Sequence, residues 1–199
     1  MRVVIESTPF DGVAVLQPHA HFDERGWFME SYRIDHFAEL GLTEPFVQDN
    51  HSRSSKGVLR GLHFQWDPPM GKLMRVTVGR AFVVAVDIRY DSPTLGRWYG
   101  REATADNRLQ VWAPAGFARG FCALSEIVEV QYKCTGTYNA PCESGIRWDD
   151  PQVGIDWPID GPLLSDKDAN AQTLAQWLGR PESRAFRFRP SADSRTRGR

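Results

Sequence analysis

Short runs of alternating apolar and polar residues recur along most of the chain, and few stretches carry the three-to-four spacing of an amphipathic helix. A period of two sends successive side chains to opposite faces of a strand. Strands are therefore predicted at Arg2–Glu6, Val13–Leu16, Trp27–Tyr32, Phe46–His51, Val58–Gln65, Lys72–Gly79, Phe82–Arg89, Arg108–Trp112, Gly120–Leu124 and Ile127–Lys133. Turn formers separate them: Asp11-Gly12, Asp23–Gly26, Lys56-Gly57, Pro68-Pro69, Gly79, Ser92-Pro93, Ala115-Gly116 and Ala140-Pro141. Many short strands at even spacing predict an all-β sandwich or barrel of the jelly-roll kind. Two short helices are expected, Ile34–Leu40 stopped by Gly41 and about Ala169–Leu178 stopped by Gly179. No repeat or linker divides residues 1–199, which read as one domain. Only the end from Arg187, with further arginines at 189, 195, 197 and 199, reads as peripheral.

Composition narrows the function classes. Hydrophobic residues make up 41% and charged residues 25%, a globular balance with enough apolar surface for one substantial core. The net charge of −1 and pI of about 6.5 provide no global field for nucleic acid or an anionic membrane, so an anionic ligand must be held by local cations. Cys122, Cys134 and Cys142 are odd in number and not closely paired, which suggests neither a disulfide framework nor a zinc site. The N-terminus has no cationic segment leading into an apolar run, and no stretch approaches membrane-spanning length. A soluble cytoplasmic protein is expected.

The candidate chemistry centres on His63, within Gly57-Val58-Leu59-Arg60-Gly61-Leu62-His63-Phe64-Gln65. A lone histidine on a strand is more often a core residue than a base. Here Arg60 lies close by, and flanking glycines allow a ligand to approach the backbone. A metal site is disfavoured, because Gln65 stands where a second histidine ligand would be needed and amide oxygen suits such metals poorly. His19 and His21 have ligand spacing but are expected in a surface turn. Tyr132 shares a predicted buried face with Val128 and Val130, Asp168 has capping-box spacing from Ser165, and Lys72 opens a strand. None of these positions is decisive alone.

Taken in order, the motifs resemble the dTDP-4-dehydrorhamnose 3,5-epimerase family. The matching segments are Asp23-Glu24-Arg25-Gly26-Trp27-Phe28-Met29-Glu30, Phe46-Val47-Gln48-Asp49-Asn50-His51-Ser52, the strand through His63, Gly71-Lys72-Leu73-Met74-Arg75 and Val86-Asp87-Ile88-Arg89. Pro114-Ala115-Gly116-Phe117, Tyr132-Lys133, Gly145-Ile146-Arg147-Trp148-Asp149-Asp150-Pro151, Ile155-Asp156-Trp157-Pro158 and Leu164-Ser165-Asp166-Lys167-Asp168 continue the match to about residue 180. The resemblance implies a cupin-like jelly-roll barrel with a few short peripheral helices. It also implies a homodimer in which an N-terminal strand crosses to the neighbour, and conversion of dTDP-4-keto-6-deoxyglucose to dTDP-4-keto-rhamnose without cofactor or metal. It assigns His63 as base, Asp168 as its carboxylate partner and Tyr132 as acid on the opposite face of the sugar. Lys72 and Arg60 fall at the cations near the keto oxygen. Arg25, Glu30, Gln48, Asn50, Glu143 and Lys167 match nucleotide or sugar contacts, and Tyr138 matches a base-stacking aromatic.

That chemistry suits the residue types. The C4 ketone acidifies carbon 3 and carbon 5, so a near-neutral base, a cation for the enolate and a second proton donor are sufficient. Strict alternation would set Arg60 and His63 on opposite faces of one strand, so a bulge or late strand start is expected near Gly61. The family usually has histidine where this chain has Arg119, and the 65–72 loop is slightly shorter than usual. Arg119 is expected either to contact the diphosphate or an outer sugar oxygen, or to reshape the sugar subsite. A single-centre epimerase on another nucleotide sugar and a non-catalytic sugar-binding cupin are the alternative readings.

Overall fold

A computed structural model describes residues 2–189. In chain order the strands are β1 (Val3–Phe10), β2 (Val13–Pro18), β3 (Ala20–Asp23), β4 (Gly26–Met29), β5 (Gln48–Ser55), β6 (Leu59–Gln65) and β7 (Lys72–Val78). They continue as β8 (Arg80–Asp87), β9 (Trp98–Thr104), β10 (Gln110–Ala113), β11 (Phe117–Ala123), β12 (Ile127–Cys134) and β13 (Glu143–Gly145). Helices α1 (Ile34–Glu39), α2 (Asp166–Ala169) and α3 (Leu174–Leu178) are short. One sheet has the order β1-β2-β10-β7-β12-β5 and the other β13-β6-β11-β8-β9, with β3-β4 as a separate hairpin. This is the mostly-β, cupin-like architecture expected, built from two sheets.

The sheets face each other across a core of Met74, Val76, Val111, Val128 and Val130 from the first and Ala81, Val83, Ala103, Phe121 and Ala123 from the second. Their outer faces are covered too. Leu62, Phe64, Val84, Val86 and Ala118 pack under Leu174, Trp177 and Phe186 from the C-terminal segments. Leu16, Leu73 and Trp112 pack against Phe37 of α1. Burial on both faces explains why β11 is buried at every position and lacks apolar–polar alternation, which obscures its start at Phe117.

Other departures have local causes. The predicted helix 169–178 is two helices: Ser165 caps α2, and Thr173 with Gln176 forms a capping box on α3. Between them the chain pairs in strand fashion, with the Arg147 amide donating to the Gln172 carbonyl. His21 lies on β3 opposite Phe28 rather than in a turn, because Asp23–Gly26 closes a hairpin there. Strand β9 went unpredicted, and the strand expected at Trp27–Tyr32 ends at Met29. Arg187 and Phe188 are docked rather than loose: Arg187 pairs with Asp91, and the Phe188 amide donates to the Tyr90 carbonyl. Arg195, Arg197 and Arg199 lie outside the described residues. Among the described residues no helix is long and apolar enough to cross a membrane.

Candidate active site

Between the two sheets lies a cavity of about 180 Å³, the space of roughly six waters. Arg60 and His63 of β6, Arg119 and Phe121 of β11, Lys72 and Met74 of β7, Tyr132 of β12, Ser52 of β5 and Asp168 of α2 line it. His63 and Tyr132 thus enter one cavity from opposing sheets. Arg60 and His63 share it because β6 is bulged. Arg119 pairs with His63 and Phe121 with Arg60, so three steps on β6 face two on β11. Gly61 makes the irregularity sterically feasible. Its φ is +133°, and a Cβ there would fall 2.6 Å from the Gly120 Cα.

Asp168 is 4% exposed, and its Oδ1 lies 2.5 Å from His63 Nε2. Burial alone would push this carboxyl up. Donors from the His63 ring, Ser165 and the Gly61 amide reverse that, and the net direction is down. A carboxylate held ionised against one ring nitrogen fixes the imidazole's tautomer and leaves the other nitrogen to act. The expected capping role is also present, since the Asp168 amide donates to Ser165 Oγ. The carboxylate itself serves His63.

Across the cavity, burial pushes the Tyr132 phenol above its ordinary range, with Cys134 adding to the effect. The hydroxyl therefore stays protonated at neutral pH and can donate. Lys72 Nζ sits 5.0 Å from the Tyr132 ring centroid. Desolvation and then the charge of Arg119 lower this lysine to about 8. Arg60 Nε donates to Ser54 Oγ at 2.9 Å. Ser52 and Ser54 escaped the sequence reading, although they continue the alternating polar face of Gln48 and Asn50 along β5.

At the mouth, Gln48 Oε1 accepts from the Tyr138 amide and its Nε2 donates to Asn50, while Tyr138 donates from its hydroxyl to Glu143. Lys167 pairs with the same Glu143 carboxylate. Glu143 and Lys167 also line an outer cleft that shares His63 and Asp168 with the inner cavity. Two expected contacts are not brought here. Arg25 pairs with Asp23 on the exposed β3–β4 hairpin, and Glu30 pairs with Arg33 beside α1. Arg119 is 4% exposed, and its terminal nitrogens donate to the carbonyls of Ala113, Pro114 and Met70 rather than standing free for a diphosphate.

Gln65 is 2% exposed and structural: Nε2 donates to the Pro68 and Thr137 carbonyls, and Oε1 accepts from the Asn139 amide. Among the described residues no group of three or more His, Cys, Asp or Glu side chains is placed to hold a metal ion.

The site thus joins a cupin-like pair of sheets to a His–Asp couple on one side of a cavity and a half-buried tyrosine and lysine on the other. The model of the dTDP-4-dehydrorhamnose 3,5-epimerase family matches residues 7–176. A protein of that name from Shigella flexneri is 51% identical over 167 residues, 83% of this chain and 92% of the relative. Another from Neisseria gonorrhoeae is 50% identical over 185 residues, 92% of this chain, and the match spans only 55% of that relative's length. The crystal structure of a Legionella pneumophila dTDP-6-deoxy-D-glucose-3,5-epimerase in complex with dTDP-4-keto-L-rhamnose superposes with a TM-score of 0.89 at 45% identity, covering 94% of this chain and all of that one. The chain belongs to the dTDP-4-dehydrorhamnose 3,5-epimerase family and is an isomerase of the epimerase type.

Proposed function

We propose that the chain epimerises dTDP-4-keto-6-deoxyglucose at carbon 3 and carbon 5, giving dTDP-4-keto-rhamnose. The observation that carries this reading is the entry of His63 and Tyr132 into one cavity from opposing sheets. His63, oriented by Asp168, removes the proton beside the ketone. The C–H electron pair becomes the new C=C bond, and the carbonyl pair moves to the C4 oxygen, where Lys72 and Arg60 supply positive charge. Tyr132 returns a proton from the other face, which inverts the centre. His63 then passes its proton to solvent and Tyr132 regains one, so that the same groups serve the second carbon after the ring shifts. Neither step changes oxidation state overall, so the chemistry calls for no redox cofactor, and the donor set around His63 suits no metal.

The cavity fits a sugar ring but is small for a whole nucleotide sugar. The nucleotide therefore lies at the mouth, where Gln48, Asn50, Tyr138, Glu143 and Lys167 gather, with Tyr138 59% exposed and available to stack. The partner in this reading is a second copy of the chain. The β3–β4 hairpin exposes Phe22, Trp27 and Phe28 and carries Arg25 away from its own cavity. In a homodimer this segment reaches the neighbour's site, bringing Arg25 and Glu30.

Incubating the protein with the keto sugar in deuterated water, with carbon 3 and carbon 5 followed separately by NMR, tests the function. The proposal expects deuterium at both positions and the rhamno product. Exchange and inversion at one carbon alone would make it a single-centre epimerase, and binding without exchange a silent cupin.

A further inference from the structure

The two almost fully buried charges of the cavity wall are treated differently by the fold. Asp168 is matched by His63, whereas Arg119, among the described residues, is matched by no carboxylate and makes its hydrogen bonds to backbone carbonyls. Those carbonyls are not scattered. Arg119 stands on β11 of one sheet, Ala113 on β10 of the other, and Met70 in the turn that leads from β6 of the first sheet to β7 of the second. Ala113 is the register partner of Lys72, and Met70 precedes Lys72 by two residues. Nη1 lies 2.9 Å from the Ala113 oxygen and Nη2 2.8 Å from the Met70 oxygen. The planar fork thus spans the cavity wall and grips the backbone on both sides of the lysine, a reach that a single-headed or shorter side chain lacks. Nε is buried without a partner, so the guanidinium retains a donor the protein does not use.

We propose that Arg119 is a positioning residue for Lys72: it clamps the backbone that carries the lysine and sets a fixed positive charge beside the ammonium, so that Lys72 hands its proton to the ketone oxygen as the enolate forms. This rests on the epimerase reading for the identity of the ketone. The step balances. His63 takes the carbon-bound proton, the C–H pair forms C=C, the carbonyl pair moves to oxygen, and that oxygen takes one proton from Nζ, leaving an enol and a neutral amine. Ketonisation returns the proton to Nζ while Tyr132 protonates carbon. The groups facing Lys72 are Arg119 from β11, Tyr132 and Cys134 from β12, Glu143 from β13 and Lys167 from α2, with Arg60, His63 and Asp168 elsewhere on the wall. Arg119 is the charge that weighs most against the ammonium after desolvation, and with burial holding it at about 10 it remains a cation at neutral pH.

The chain holds four lysines, at 56, 72, 133 and 167, so protein labelled with carbon-13 at lysine Cε gives four resolvable titrations, and Lys72→Met assigns the one of interest. This readout needs no substrate and is independent of turnover. In the wild type Lys72, lowered to about 8 by desolvation and the charge of Arg119, should titrate below the other three lysines. Arg119→Gln removes the neighbouring charge, so the midpoint should rise by at least about half a unit, and the alkaline limb of kcat should rise with it. Arg119→Lys keeps the charge but loses the fork: the midpoint should stay, kcat should fall, and KM should hold. Should Arg119→Gln fail to fold, Arg119→His titrated where imidazole is neutral supplies the uncharged comparison. A Lys72 midpoint unmoved in both the Gln and His variants overturns the proposal, as does an equal rise in Arg119→Lys, which would assign the effect to hydration. A Lys72 shift as expected in a protein that does not turn over the keto sugar would instead refute the proposed substrate.

Discussion

Asp168 Oδ1 meets His63 Nε2 at 2.5 Å across 105 residues of sequence, coupling a single helical turn to the centre of β6. The turn carrying Asp168 is itself pinned by the Ser165 cap, so the carboxylate's direction is set by backbone geometry. The imidazole is consequently held from behind and presented to the cavity.

His63→Ala should abolish deuterium exchange at both carbons while leaving dTDP affinity within a few-fold. A general base contributes about 10²–10⁴-fold, and no other histidine lines the cavity among the described residues. Turnover within a few-fold of wild type, measured by NMR, would remove His63 from the mechanism.

Asp168→Asn tests the couple in another way. The carboxyl's folded-state value is depressed, so its stabilisation is complete above the unfolded value of about 4 and is lost as pH falls through the folded one. The melting-temperature gap between wild type and Asp168→Asn should be widest at neutral pH and close below about pH 4. Activity of the variant should fall at all pH values.

Lys72 carries the opposite sign. Its folded value of about 8 lies below its ordinary one, so the charged form is disfavoured in the fold at neutral pH, and the cost disappears as pH rises past the unfolded value. Lys72→Met should therefore raise the melting temperature at pH 7, with an upper bound of about 3 kcal/mol, while cutting kcat. The stability gain should fade above about pH 10. A destabilised variant would show that Lys72 contributes packing rather than a strained charge.

Exhaustive chelation should leave epimerisation unchanged, and elemental analysis should find no stoichiometric transition metal. Gln65, with its amide committed to three backbone groups, cannot turn to ligate beside His63. Loss of activity on chelation, restored by one metal, would contradict this.

The sequence made legible those parts of the site whose signal is local. The alternation around Tyr132 placed it on a buried face, and the conflict between Arg60 and His63 pointed to the bulge near Gly61 that β6 contains. What escaped it depends on cross-sheet geometry. Arg119 reads either as a contact to the diphosphate or an outer sugar oxygen or as a residue that reshapes the sugar subsite, because nothing in Gly116–Phe121 reveals carbonyls of Met70 and Ala113 within reach. Arg25 and Glu30 match binding motifs, yet Arg25 pairs with Asp23 on the β3–β4 hairpin and Glu30 with Arg33 beside α1, so neither lines the cavity of its own chain. Strand β9 was missed because its apolar and polar residues do not alternate regularly.

In the proposed mechanism, proton removal and proton return belong to different residues on opposing sheets. Tyr132→Phe keeps the ring against the cavity wall and deletes only the hydroxyl. In deuterated water with the keto sugar, this variant should still incorporate deuterium where His63 acts, with configuration retained and inversion suppressed by about 10² or more. An inversion rate equal to wild type in Tyr132→Phe would show that another group returns the proton.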